Sequence, residues 1–293
     1  MKYRKGDRVR HPKMDSWGLG LVLEDSDGAK VRIFFVDVGE KTVMLSHAEP
    51  VVVSGPDAES PILDNLKIDG AKVSVRYKSL TASMQYFLKK FPGGFSGERF
   101  RAHERDHKEE ISGDVQVGLD RTAMRAMLDA GEYRDICGRA LKLTGVRANA
   151  MIFKNEKMAM RDGLKSEESE KKFAESLFDV LHGEGDFDGR FDRYAACLED
   201  IGACKWTVAT YFLFFMYPDR HMFVKPTITQ NAAEVCAYEI NYRPEVNAKT
   251  YRSIVDFSSH LKDSISELEP RDMIDVQSFM WCIAPGTYGA DDV

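Results

Sequence analysis

Between residues 7 and 53 the apolar positions alternate or run in short β-branched stretches, at 7–11, 18–24, 30–37, 41–45 and 50–53. Asp25-Ser-Asp-Gly28 and Val38-Gly39-Glu40 separate them as hairpin turns. Five short strands in so little chain predict a small barrel, because closure removes exposed edges. Residues 54–61 (Ser-Gly-Pro-Asp-Ala-Glu-Ser-Pro) have the composition of a linker. From about residue 115 the period changes to 3–4, and helices are expected over 121–128, 133–144, 148–164, 167–181, 187–198, 207–217, 228–237, 248–268 and 271–282. Gly131, Gly145, Gly183, Gly185, Gly202, Pro218 and Pro226 supply stop signals between most of them. No repeat of 20–50 residues is present, so a solenoid is not expected.

The expected architecture is therefore α+β and multidomain. Residues 1–54 form the small β-barrel, 55–66 a linker, and 67–293 a larger, mainly helical domain. Residues 62–112 are less defined: 72–77 read as a strand or a lead-in, 83–90 have helical spacing, and 91–97 form a glycine-rich loop without the order of a P-loop.

Composition narrows the function classes. With 293 residues, 43% hydrophobic and 30% charged, the chain is neither disordered nor fibrous. The longest apolar run, 207–217, is too short to cross a bilayer, and the N-terminus lacks the apolar segment of a signal peptide. A cytosolic protein with no membrane partner is expected. Five cysteines without a CxxC pair indicate neither a disulfide framework nor a zinc site. The net charge of −6 is uneven: 1–66 carry −2, 67–108 carry +6 and 109–293 carry −10. Lys89, Lys90, Arg99, Arg101 and Arg105 make the middle stretch a candidate phosphate-gripping face. His103-Glu-Arg-Asp-His107 has the letters of a zincin motif, but no third ligand is evident nearby and charge flanks it on every side, so a zinc hydrolase is only a third reading.

Gly6-Asp-Arg-Val-Arg-His-Pro12, then Trp17-Gly-Leu-Gly20 and a later Gly-Glu-Lys, resemble the small Tudor-like (SH3-like) barrel that ends UvrD-type helicases. The run is also similar to the RNA-polymerase-binding barrel of CarD-like proteins. The resemblance covers about a sixth of the chain and implies a docking module for DNA or RNA polymerase. Arg8 and Arg10 lie among six basic residues that precede position 14, against one acid, which suits a phosphate-rich partner.

Residues 194–233 carry the chemistry. One helix ends at Ile201-Gly202, and Ala203, Cys204 and Lys205 lead directly into an apolar helix. A tight turn of this kind aims backbone N–H groups and a positive helix end outward, where a phosphate can bind. The order of helix, Ile-Gly turn, Lys, buried helix, Pro, Phe-Val and helix resembles the helix-hairpin-helix base-excision DNA glycosylases. That resemblance places Lys205 at the lysine nucleophile of the bifunctional members, and Lys225 where the family has its catalytic aspartate.

The resemblance implies a DNA N-glycosylase that leaves an abasic site. The missing aspartate implies an unusual substrate, for which a hypermodified cytosine in phage DNA is a candidate and antiviral defence the setting. Such an enzyme extrudes a base and stacks it, then uses a carboxylate to activate water or an amine to attack C1′. Lys205 and Lys225, if brought together, would lower each other's pKa. Asp275 is the candidate acid and Gln277 a candidate substrate contact. Trp206, Tyr211 and Trp281 offer stacking surfaces, with core packing the role expected for at least two of them. No cofactor is expected; double-stranded DNA is the expected partner. The reading from another class is a non-catalytic adaptor that binds DNA or RNA polymerase.

Overall fold

Side chains in the N-terminal segment alternate between two apolar clusters, one on each face of a sheet. The computed structural model describes residues 2–69, 72–73, 78–145, 148 and 151–288. By Cα proximity the chain separates into two compact units. The first contains Met1–Lys90, Gln230–Ile240 and the residues from Cys282 on; the second contains Phe91–Thr229 and Asn241–Trp281.

In the first unit, β1 (Arg8–Arg10), β2 (Leu19–Val22), β3 (Lys30–Phe35), β4 (Gly39–Met44) and β5 (Val51–Val53) form an antiparallel sheet in the order β4-β3-β2-β1-β5. Register follows the alternation: Val22 pairs with Ile33 and Leu21 with Phe34. Tyr3, Val9, Val22, Val31, Ile33, Phe35 and Val43 pack on one face, with Trp17 against them. Leu19, Leu21, Leu23 and Phe34 pack on the other face with Leu63 and Ala237. The sheet is therefore apolar on both sides.

Residues 55–66 do not run free as a linker. Gly55–Ala58 make a 3₁₀ turn and Pro61–Asp64 a short helix, α1. Ser60 starts it by accepting the Leu63 N–H, and Pro61 presets the first turn. Arg8 reaches across to Asp64 and ties β1 to α1. The two-stranded ribbon of β6 (Ile68–Asp69) and β7 (Lys72–Val73) follows, then α2 (Leu80–Lys90). The rest of the expected strand, 74–77, lies outside the described residues.

The second unit is helical. Its first helical stretch is continuous: α3 (Glu98–Phe100), one π turn (Arg101–Arg105) and α4 (Asp106–Gly118). α5 (Arg121–Asp129), α6 (Tyr133–Leu143), α7 (Lys154–Gly163), α8 (Glu167–His182) and α9 (Phe187–Asp200) follow. Then come α10 (Trp206–Met216), α11 (Pro226–Val235), α12 (Ala248–Ser264) and α13 (Met273–Ile283), of which α11 from Gln230 and α13 from Cys282 belong to the first unit. The helix expected over 148–164 starts only at Lys154, since Glu156 folds back to the Phe153 N–H and fixes the start there. The helix expected to reach 268 ends at Ser264 and gives way to a 3₁₀ turn that closes on Glu269 at φ 57°. Every side chain of α10 is buried, and each of its large apolar groups contributes about 1.5–3 kcal/mol by leaving water.

Candidate functional site: a half-buried amine beside a buried ionic seam

The connection from α9 to α10 is a tight helical hairpin. The Ala203 N–H reaches the Leu198 carbonyl (2.8 Å) and the Gly202 N–H the Glu199 carbonyl (2.9 Å), a Schellman closure. Gly202 sits at φ +67°, a conformation that glycine adopts without strain. Gly202 is exposed and Ala203 buried. Lys205 is exposed at the N-cap of α10, and no side chain caps the helix there.

Behind the hairpin the chain returns to α10. The Val224 N–H donates to Thr210 Oγ1 (2.9 Å), one turn into the helix, and Lys225 follows as the residue before α11. The Lys225 Nζ lies 4.5 Å from the centre of the Trp281 ring and 5.4 Å from that of Phe153. Lys225 and Trp281 are both partly exposed. Burial holds the Lys225 amine below its ordinary pKa; Lys108 pushes in the same direction and Glu156 opposes. The neighbouring cation is thus Lys108, from a helix that periodicity alone did not reveal.

Glu156 braces this corner. Its Oε2 accepts the Phe153 N–H (2.7 Å), and its Oε1 accepts the Thr207 hydroxyl of α10 (2.6 Å). Lys108 is buried, and its Nζ donates to Glu104 Oε2 (2.9 Å), Gln277 Oε1 (2.8 Å) and Ser278 Oγ (2.8 Å). Ser278 already donates its own proton to the Ile274 carbonyl (2.9 Å), so toward Lys108 it accepts. Three acceptors around one nitrogen match an ammonium, which satisfies its charge in place while burial pulls its pKa down. One turn farther along α13 stands Trp281.

The same seam accounts for Arg105 and Asp275. Arg105 forks onto both oxygens of Asp272 and also donates to Glu109 (2.7 Å) and Asp275 (3.2 Å). Burial lowers its pKa, but hydrogen bonding and charge from Asp272, with Asp275 and Glu109, leave it raised overall. Its donors face inward, so it offers no free fork to a phosphate. Asp275 is fully buried and takes four N–H groups, three from Arg271 and one from Arg105. A carboxylate has about four acceptor positions, so none remains to activate a water. Gln277 gives its carbonyl to Lys108 and belongs to the seam as well.

Other predicted residues lie apart. Tyr211 is buried and donates to the Leu143 carbonyl (2.8 Å). Trp206 is buried, with its indole N–H on the Arg243 carbonyl (3.1 Å). Neither ring presents a face for stacking. Arg99 is exposed, and exposed Arg101 pairs with Asp106 at 3.1 Å. Lys89 is exposed and Lys90 lies over Tyr86, both in the first unit. There Arg8 is engaged by Asp64 and Arg10 is exposed. His103 turns to the Arg99 carbonyl (2.8 Å). Among the described residues, no group of three or more His, Cys, Asp or Glu converges to hold a metal, and no helix is long and apolar enough to cross a membrane. A recess of about 970 Å³ is lined by Glu110, Asp114, Val117, Arg139, Lys142 and Leu143, among others, and includes none of the residues around Lys225.

Sequence reasoning missed Phe153, Glu156 and Lys108. A signal existed for Glu156, which stands three residues after the N-cap Phe153, where a capping acid belongs. Lys108 sits at helical spacing from Glu104, Ile111 and Val115, but its charge reads as a solvated face.

Comparison with known proteins adds one observation. A family described as a protein of unknown function (DUF3553) matches residues 3–53, the segment of the five-stranded sheet. No curated protein and no solved structure matches the chain.

Proposed function

We propose that the chain is a DNA N-glycosylase, in which the helical unit is a helix-hairpin-helix domain and the N-terminal sheet a Tudor-like docking barrel for DNA or RNA polymerase. The observation that carries the reading is the Lys225 amine: half-buried, below its ordinary pKa, between two aromatic rings, and held beside the second helix of a tight glycine hairpin. An amine nucleophile reacts in its neutral form, and burial, helped by Lys108 and opposed by Glu156, moves Lys225 in that direction.

The amine lone pair attacks C1′, and the C1′–N bond breaks toward the base, which takes one of the nitrogen's protons as it leaves. The C1′–O4′ bond then opens as the nitrogen lone pair forms the imine to Lys225 and O4′ takes the second proton, and water hydrolyses the imine to return the amine and leave an abasic site. The N-terminus of α10, which no side chain caps, is where backbone N–H groups would meet a phosphate. Exposed Lys205 stands at that end as an electrostatic contact. Lysine in place of the family aspartate favours an unusual base, and hypermodified cytosine in phage DNA is the class to examine first, with antiviral defence as the biological setting.

The test is release of free base from unmodified, alkylated, oxidised and glucosylated-hydroxymethylcytosine DNA, with borohydride trapping of the imine. Product from one DNA, lost in Lys225→Ala with binding retained, supports the enzyme. Salt-sensitive binding with no base released from any DNA leaves the second reading, an adaptor. The exposed valines of edge strand β5 favour that reading by offering a strand for a partner to pair with.

A further inference from the structure

Phe153 is 54% exposed, yet it is not part of a loose loop. Met151 and Ile152 just before it are buried, and its N–H is bonded to Glu156, which is itself bonded to Thr207 of α10. Its carbonyl accepts the N–H groups of Glu156 and Lys157, both at 3.1 Å. The backbone that bears the ring is therefore fixed to the second hairpin helix, with the ring partly in water and 5.4 Å from the Lys225 Nζ. Exposed Lys154 and Asn155 follow it at the start of α7, a polar and cationic rim. Single exposed apolar residues are ordinary; one braced through two side-chain hydrogen bonds beside a half-buried amine is not explained by chance exposure.

We propose that Phe153 is the platform on which an extruded nucleobase stacks, with its flat face on the ring and its glycosidic carbon turned to Lys225. This rests on the glycosylase reading and adds to it the residue that receives the base. The Lys225 Nζ lies over the Phe153 ring, 5.4 Å from its centre, so it is a base stacked on that same face that turns its glycosidic carbon to the amine. Stacking tolerates any base, so Phe153 would supply grip and orientation rather than choice of base. The Lys154 side chain at the rim is placed to meet the flanking phosphate.

The experiment uses a duplex with one 5-iododeoxyuridine opposite guanine, a mismatch that lowers the cost of extrusion. Irradiation couples the iodinated base to an aromatic ring stacked on it, and mass spectrometry locates the adduct. The expected adduct is on Phe153. Phe153→Leu keeps an apolar side chain without a π face and should abolish the adduct while the fold, read by circular dichroism, is unchanged. Phe153→Tyr should restore it. Base release should fall about tenfold or more in Phe153→Leu and recover in Phe153→Tyr. Bound duplex with its adduct elsewhere, or an adduct unaffected by Phe153→Leu, overturns this inference and leaves the glycosylase reading standing. Failure of the full chain to bind any duplex overturns both.

Discussion

Arg271 holds Asp275 by three N–H groups at once: its backbone N–H and Nε on one carboxylate oxygen, both at 2.9 Å, and Nη2 on the other at 3.1 Å. With Arg105 on that second oxygen, the carboxylate is the shared counter-ion of two arginines. Asp275→Asn removes the charge and leaves Arg105 buried with less compensation. Breaking one partner of a buried pair costs about 3–5 kcal/mol. The midpoint of urea unfolding should fall accordingly, and any base release by the folded fraction should persist. Loss of activity in Asp275→Ala would therefore report on folding, whereas loss in Lys225→Arg, which keeps the cation over Trp281, would report on chemistry.

The Lys225 amine should respond to Lys108. Replacing Lys108 alone would strand buried Glu104, so the informative variant is the neutral pair Glu104→Gln with Lys108→Met. Removing the neighbouring cation raises the Lys225 pKa, and less neutral amine is present at a given pH. Site-resolved reductive methylation across pH should show the Lys225 midpoint moving upward, with the pH profile of base release following it. An unchanged midpoint would mean that burial and Glu156 set the amine without Lys108.

Strands and most helices were legible because their apolar residues recur at periods of 2 and 3–4, which burial on one face requires. The candidate site was legible only in part. Lys225 was singled out only because the glycosylase resemblance puts a catalytic aspartate there, and its neighbours come from α4, α7 and α13, far away in sequence. The π turn and α4 were hidden because their inward positions include Glu104, Arg105 and Lys108, whose charges are satisfied inside, Lys108 by Glu104 and Arg105 by Asp272 and Asp275. Asp275 and Gln277 stood out in the sequence as polar residues in an apolar helix, a correct sign of burial that says nothing about catalysis. The reading of 55–66 as a linker failed because four residues of helix, with one leucine, leave no periodic trace.

That leucine carries a prediction about the first unit. Leu63 covers Leu19, Leu21 and Phe34 on the second face of the sheet. Leu63→Ala should cost about 2–5 kcal/mol. A fragment of residues 1–54 would expose that face, and it should aggregate or bind a hydrophobic dye. A fragment 1–54 that stays monomeric and unfolds cooperatively would show that the sheet does not need α1.

Stability should fall in mild acid. His221 lies against Phe187 and Tyr251, and burial pushes its pKa down to about 4, with Arg220 and Arg190 adding and Asp219 opposing. Burial also lowers His182, which is bonded to Tyr217 and the Leu119 carbonyl. An unfolded histidine takes up its proton near 6.5, so between that pH and about 4 the unfolded chain binds more protons than the native one. The stabilisation is complete above the unfolded value and declines as pH falls, by at most about 3 kcal/mol for His221. Urea unfolding at pH 7 and pH 5 should show the difference, and His221→Phe should reduce it.

Gly163, the last residue of α7, is pressed against the end of the hairpin. A Cβ there would stand 2.6 Å from the Ile201 Cβ and collide with the Ile201 carbonyl oxygen. The obstacle is backbone, which cannot swing aside as a long side chain can. Gly163→Ala must therefore push Ile201 and the following Gly202 turn away from α7, at about 1–3 kcal/mol of overpacking. Glu156 on α7 is bonded to Thr207, so the same shift strains the brace under Phe153. If the start of α10, which follows that turn, grips phosphate through backbone N–H groups, displacing it weakens binding to every sequence alike. Fluorescence anisotropy on unrelated duplexes should show a common loss for Gly163→Ala. The slope of affinity against salt should stay close to wild type, since no lysine or arginine is removed. Exposed Lys205→Ala should do the reverse and flatten that slope by about one charge. Equal affinities for Gly163→Ala and wild type would remove the hairpin turn from the DNA interface.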